Sequence, residues 1–446
     1  MERMDMNKRP NVLWIFSDEH RAQAMSCRGD VNIETTYMDL LAQYGCRYDR
    51  AYSAAPLCAP FRASLMTGKY LNEHGVISLH VPLVNQKLIS ETMQEYGYRT
   101  TYYGKWHLSG GAAPNHFVSK FFCKGFDEFV GWENSNRFFD THYFRDTDEN
   151  PQAYRVMKKY QTDELTDLAI EGLKKNIKSE KPWFQIVSYE APHPPAVGRQ
   201  DLEEYSRAYA PKEYLDQFQE CDIVLRPNVT GSVEELEQIK TMHKAYYAAI
   251  KNLDDNIGRL YEYLKQEKEL DNTIIFYFSD HGDFWGSHGR YGKCRAEEES
   301  SNIPMIIHWP NGICAGQVKK ELFSSVDIFP TLCGLLNVPI PTYCSGMDLS
   351  YQMTAGEGGP RKNVLIQGER TFYSSAAEKE RYRALVLDEY KYIYYRQEKK
   401  EVLFHLKSDP YETNNLAQQS EYKELCCYLK NQLMQQLQAV SDDFFE

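Results

Sequence analysis

Cys58-Ala59-Pro60-Phe61-Arg62, running on into Ala63-Ser64-Leu65-Met66-Thr67-Gly68, sets one thiol four residues before an arginine at a loop-to-helix junction. A helix starting there aims unpaired backbone N–H groups and the positive end of its dipole at the Cys58 side chain, where an anion is stabilised. Taken alone, the stretch fits a buried structural cysteine ahead of a capped helix equally well. The chain on either side separates the two readings.

Upstream, Asn11-Val12-Leu13-Trp14-Ile15-Phe16-Ser17-Asp18-Glu19-His20 reads as a short apolar strand ending in two carboxylates. Strand ends are where open α/β sheets bind ligands. Far downstream, Thr273-Ile274-Ile275-Phe276-Tyr277-Phe278-Ser279-Asp280-His281-Gly282-Asp283 repeats the pattern, with an imidazole beside the carboxylate. Two such ends give one divalent cation most of its ligands: the oxygens suit Ca²⁺, Mg²⁺ or Mn²⁺, and the histidine admits softer metals. The alternative, that Asp18 and Asp280 are helix N-caps, leaves their neighbours unexplained.

Three more runs follow strand-like segments or the second acidic end. Gly104-Lys105-Trp106-His107 follows Tyr98 to Tyr103, and alternation turns Lys105 and His107 to one side. Ala191-Pro192-His193-Pro194-Pro195 follows Trp183 to Tyr189 and fixes a rigid turn around one imidazole. Lys293 closes Ser287-His288-Gly289-Arg290-Tyr291-Gly292-Lys293. Singly, each reads as a solvated lysine or a satisfied structural histidine. In their order along the chain, they and the Cys58 stretch resemble the sulfatase signature, Cys-x-Pro-x-Arg followed by a small-residue helix. Leu403 to Leu416 resembles the closing segment of sulfatases, so the likeness runs from about residue 10 to about residue 417.

The resemblance implies an α/β fold of the alkaline-phosphatase type, a mostly parallel sheet sandwiched by helices, with a smaller C-terminal antiparallel-sheet subdomain. It implies that Cys58 is oxidised to formylglycine by a maturation enzyme. Asp18, Glu19, Asp280 and His281, with position 58, would hold one divalent metal, Ca²⁺ first and Mg²⁺, Mn²⁺ or Zn²⁺ as alternatives. Arg62 and Lys105 would stabilise the nucleophile and the equatorial oxygens. His193 and Lys293 would protonate the leaving alcohol, His107 would take a proton from the remaining hydroxyl to expel sulfate, and His288 would join the substrate-binding set. The substrate class implied is a sulfated sugar, glycan or aryl ester. Three departures stand out: Phe61 where the family usually has Ser, Glu19 for Asp, and His281 for Asn. An Asp-His pair at this site also occurs in phosphonate monoester hydrolases and phosphodiesterases. A phosphonate or phosphate ester hydrolase is therefore the second reading, and a non-catalytic anion binder with an unconverted Cys58 the third.

At 446 residues, 42% hydrophobic and 26% charged, the chain has the composition of a globular protein with a large core. A net charge of −12 argues against nucleic acid as partner. Met1 to Pro10 is polar, and the apolar run after it is too short for a signal-peptide core or a membrane span, so the expectation is a cytoplasmic protein without a membrane partner. The 11 cysteines show no knuckle or disulfide spacing and, Cys58 aside, read as reduced thiols. Alternating strand and helix patterns give a catalytic α/β domain over 1–355. A linker candidate at Gly356-Glu357-Gly358-Gly359-Pro360 precedes an α+β subdomain over 361–446. The clearest helix spans His243 to Leu264, and 196–235 reads as an exposed insertion. The aromatic density from Phe117 to Phe144 reads first as core packing, with a rim for a sugar or aryl ring as the alternative.

Overall fold

The structure is a computed structural model that describes residues 9–111, 116–354, 358–369 and 381–446. Its larger sheet is built from β1 (Asn11–Ser17), β2 (Cys46–Tyr52), β3 (Arg99–Lys105), β4 (Glu128–Trp132), β5 (His142–Arg145), β6 (Arg155–Val156), β7 (Trp183–Ser188), β8 (Thr273–Ser279), β9 (Met305–His308) and β10 (Gln317–Ser324). Their spatial order is β10-β2-β9-β8-β1-β7-β3-β4-β5-β6. Strands β8, β1, β7, β3 and β4 run parallel, while β9 lies antiparallel to both β2 and β8. The mostly parallel α/β architecture read from the sequence is the one found.

Every residue of β1 and β8 is buried, as strands covered on both faces must be. Alternation divides β1 between two cores. Val12, Trp14 and Phe16 pack with Phe61 and Leu65 of the helix Cys58–Thr67, whereas Leu13 and Ile15 pack with Leu165 of Gln161–Ile177 and Leu253 of Val233–Gln266. Because β8, β1, β7 and β3 are parallel, Asp280, Asp18, Glu190 and Lys105 leave the sheet at the same edge. This juxtaposition places the site at the C-terminal ends of the strands.

A second, antiparallel sheet comprises β11 (Val364–Gly368), β12 (Tyr382–Val386), β13 (Tyr390–Tyr395) and β14 (Lys400–His405). One face packs Leu365, Leu385 and Leu403 against Leu429, Leu433 and Leu437 of the helix Lys423–Ala439. The other packs Val364, Ile366 and Ile393 against Tyr52 and Leu322 of the larger sheet. The smaller sheet thus has no solvated face. Of the linker candidate, Gly356 and Glu357 lie outside the described residues.

Two expectations change. The long helix runs Val233–Gln266, starting earlier because Ser232 and Glu235 form a capping box ahead of the apolar periodicity. The segment 196–235 is not simply an exposed insertion. Tyr205 and Tyr209 are buried in the core shared with Val233–Gln266, and aromatic rings among many charges disguised that face. The aromatic stretch keeps its first reading: Phe129, Trp132, Phe138 and Phe144 are core residues, Phe121 and Phe139 face solvent, and none of these rings lines the cavity described below.

Candidate active site

Cys58 is the first residue of its helix, after an extended Leu57, and all ten residues of that helix are buried. Phe61, where a smaller residue was expected, is buried in the core, its ring 6.3 Å from that of Phe278. The Cys58 Sγ lies 3.3 Å from His281 Nε2 and 3.5 Å from Asp18 Oδ1. Asp18, Cys58, Asp280 and His281 each offer a ligand atom within 4.8 Å of the others, and all four are buried.

Local bonding orients these donors. Asp280 Oδ1 accepts from Glu19 N at 3.0 Å and His281 N at 2.8 Å, which locks one strand end to the other. Asp280 Oδ2 is buried with no hydrogen-bond partner, its nearest cation being Arg62 Nε at 3.8 Å. His281 Nδ1 sits 3.0 Å from the Gly282 carbonyl, which can only accept, so Nδ1 carries the proton and Nε2 turns its lone pair to the cluster. Two carboxylates and one imidazole lone pair form a donor set that fits a hard divalent cation.

Two cations brace the acids. Arg62 Nη2 lies 3.0 Å and Lys105 Nζ 2.8 Å from Asp18 Oδ2. Arg62 also donates to Lys105 O at 2.6 Å and Ser188 Oγ at 2.8 Å, so its guanidinium is fixed by both neighbouring strands. Burial opposes ionisation of Asp18, but Lys105, His193 and Arg62 hold its carboxyl well below the usual range. Burial and the Asp18 charge push Asp280 well up, and they push the Cys58 thiol up too.

On the other side, Lys293 Nζ lies 2.7 Å from Glu19 Oε2 and 2.9 Å from His193 Nε2. Burial lifts Glu19 to about 7 against the pull of Lys293 and His193, with Asp283 adding to the rise. A cavity of about 250 Å³ joins these groups, lined by Cys58, Lys105, His107, His193, Glu19 and Lys293 among others. His107 is buried with neither ring nitrogen bonded, and burial, then Lys105 and Arg62, hold its pKa well down. It is a neutral imidazole with both ring nitrogens unbonded within the protein.

The family model described as Sulfatase matches residues 10–338, about three-quarters of the sequence, and one described as N-sulphoglucosamine sulphohydrolase, C-terminal, matches 286–439. The chain belongs to the sulfatase family. As a sulfatase it is a hydrolase of sulfate esters within the alkaline-phosphatase superfamily. It is 30% identical to an ulvan-active sulfatase of Formosa agariphila, over 100% of this chain and 84% of the relative. A solved structure in complex with its substrate, D-glucosamine-2-N,6-O-disulfate, superimposes with a TM-score of 0.83 at 25% identity, covering 98% of this chain and 99% of that one. The phosphonate monoester hydrolase of Agrobacterium radiobacter shares the fold, with a TM-score of 0.76 at 23% identity over 97% of this chain and 96% of that one.

Within this sulfatase, ten of the eleven residues expected at the site do converge: Asp18, Glu19, Cys58, Arg62, Lys105, His107, His193, Asp280, His281 and Lys293. His288 does not. Its Nε2 lies 3.1 Å from Asn228 Nδ2 and 3.7 Å from Glu299 Oε2, and it lines no part of the cavity. A turn through Gly286 and Gly289 carries it away, so closeness to Lys293 in sequence misled. Glu190 was missed. It receives Lys105 Nζ at 3.3 Å, Trp132 Nε1 at 3.0 Å and Gln161 Nε2 at 2.8 Å, and its one sequence signal is its position just before Ala191-Pro192-His193. Asn134, Asn136, Arg199, Arg290 and Arg295 also line the cavity and carry no motif. All eleven cysteines are free, and no helix among the described residues is long and apolar enough to cross a membrane.

Proposed function

We propose that the protein hydrolyses the sulfate ester of a sulfated sugar, using formylglycine formed from Cys58. The observation that carries this reading is the seat of Cys58 Sγ, 3.3 Å from His281 Nε2 and 3.5 Å from Asp18 Oδ1 at a helix start. Oxidation would exchange a thiol for an aldehyde whose hydrate offers two hydroxyls, one to attack and one to release the product. Asp18, Asp280, His281 and position 58 would hold one divalent cation, which we assign as Ca²⁺, and Glu19 is grouped next to them with Asp18 and His193. Such a cation supplies charge neutralisation and a lowered hydroxyl pKa.

The chain's own residues do the rest. Arg62 and Lys105, held rigid by Asp18, Ser188 and Glu190, meet charge on the sulfate oxygens without reorganising. His107, buried and neutral, takes the second hydroxyl's proton. Lys293, in contact with His193, gives its proton to the departing alcohol. Asn134 Oδ1 and Asn136 Oδ1 have no partner within the protein, and both residues line the cavity, which suits donation from sugar hydroxyls.

A screen of matched sulfate, phosphate and phosphonate esters of one sugar tests the reading. Sulfate release should exceed phosphate or phosphonate cleavage by orders of magnitude in kcat/KM. The opposite order would make the Asp280-His281 pair a mark of phosphoryl chemistry.

A further inference from the structure

Beyond the sulfate pocket, the cavity holds more positive charge than one ester needs. Five cationic side chains line it: Lys105, Lys293, Arg199, Arg290 and Arg295. Three are matched within the protein. Lys105 meets Asp18 at 2.8 Å, Lys293 meets Glu19 at 2.7 Å, and Arg290 meets Glu297 at 3.0 Å. Arg199 and Arg295 have no carboxylate at ion-pair distance among the described residues. Asp283, the remaining acid of the wall, is fully buried; its Oδ1 accepts from Trp285 N at 2.7 Å and Gly292 N at 3.0 Å, and its Oδ2 has no hydrogen-bond partner.

Both arginines without an ion pair lie over aromatic faces, and acids act on them only from beyond ion-pair distance, Asp283 and Glu19 on Arg199 and Glu297 on Arg295. The Arg199 guanidinium lies 4.4 Å from the ring centre of Tyr291 and 5.7 Å from that of Trp285. That of Arg295 lies 5.6 Å from the ring centre of Tyr395, whose hydroxyl accepts from Nη1 at 3.3 Å. Each guanidinium gives an edge N–H to a tyrosine hydroxyl, Arg295 to Tyr395 and Arg199 to Tyr205, and with five donors in its fork it keeps others for a ligand and its charge at any working pH. Tyr291 is 42% exposed, so the platform under Arg199 stands at the opening. Two partly desolvated, permanently charged forks facing a cavity are stabilised by an oxyanion supplied from outside.

We propose that Arg199 and Arg295 form a second anion subsite, which binds an acidic group, a carboxylate or another sulfate, carried elsewhere on the sugar substrate. The proposal rests on the sulfate-ester reading above and narrows it to substrates with at least two anionic groups.

The test compares one sugar sulfate in three forms: with no second charge, with a second sulfate, and with a uronate on the adjoining residue. The wild-type protein should favour the doubly charged forms by about tenfold or more in kcat/KM, through KM, and added salt should erode the preference. The two charged forms distinguish sulfate from carboxylate as the group bound. Arg199→Ala and Arg295→Ala should each cut the ratio of charged to neutral substrate by about tenfold, and Arg199→Lys should restore part of it, because the charge returns without the fork. An equal ratio in the wild type, or one unmoved in the double Ala variant, overturns the subsite. If no sulfate ester is turned over at all, the hydrolase reading is what fails. Calorimetric binding of the same three sugars then decides the subsite separately: tighter binding of the doubly charged forms, lost with Arg199 and Arg295, supports it, and equal binding overturns it.

Discussion

Lys293 Nζ lies 2.9 Å from His193 Nε2, and the same imidazole turns Nδ1 to the Pro194 carbonyl at 2.7 Å. A carbonyl only accepts, so Nδ1 holds the ring's proton and Nε2 receives the ammonium N–H. Burial, reinforced by Lys293, brings His193 down to about 4, so the ring is neutral near physiological pH. Burial works against a charged Lys293, yet the neighbouring acids Glu19 and Asp18 help keep its pKa well above the usual value. The available proton therefore sits on Lys293, and His193 positions it.

Leaving-group protonation follows from that pair. Lys293→Ala should lower kcat on sugar sulfates by about 10²–10⁴, and on nitrophenyl sulfate, whose phenolate departs unaided, far less. His193→Ala should show the same pattern more weakly. Rates plotted against leaving-group pKa should steepen in both variants, and parallel lines would remove the pair from that role.

Gly104 makes a separate, structural prediction. It sits at φ +113°, and a Cβ there would fall 2.0 Å from Ser188 O on the paired strand. Gly104→Ala should cost about 3 kcal/mol in denaturant unfolding, at the top of the range for overpacking. It should also depress activity, because the next residue presents both the Lys105 ammonium and the carbonyl that Arg62 binds. A stability change under about 0.5 kcal/mol would mean that β3 and β7 are less closely locked than the register indicates.

Two buried histidines away from the site set a pH dependence of stability. His74 and His243 are each lowered from 6.5 to about 3, first by burial and then by Lys69 and Arg21 respectively. The folded state holds them neutral while the unfolded state takes up protons, so their contribution is complete above 6.5 and is lost as pH falls towards 3. Each should remove about 1.4 kcal/mol per pH unit within that window. In denaturant titrations His243→Gln should flatten the decline between pH 6 and 4 by about one proton's worth. An unchanged slope would show that His243 is already protonated in the fold.

Metal binding gives a readout independent of turnover. Divalent cation should raise the melting temperature of the wild-type protein, since it binds only the folded state. Asp280→Ala should lose that shift and the bound metal in elemental analysis, because Asp280 supplies the carboxylate oxygen that has no hydrogen-bond partner. Retention of both would remove Asp280 from the ligand set.

What the sequence made legible was local. The two acidic strand ends and the Cys58 helix start could be read because strand, carboxylate and cap lie within ten residues of each other, and parallel pairing of β1 with β8 then brings Asp18 and Asp280 to one edge. What it concealed depends on long-range closure. Glu190 acquires its role only when β3 and β7 pair, and Arg199 and Arg295 reach one cavity through segments that share no periodicity. His288 shows the converse error, since five residues of turn are enough to send a neighbour of Lys293 to Glu299 instead.

The most direct test concerns position 58 itself. Protein produced with graded amounts of a formylglycine-generating enzyme can be assayed for aldehyde at residue 58 by peptide mass and, in the same samples, for sulfate released from a sugar sulfate. Turnover should rise in proportion to aldehyde content and extrapolate to zero at none, with Cys58→Ala folded and inactive. Full turnover from protein carrying only the unmodified thiol would contradict the proposed chemistry at its centre.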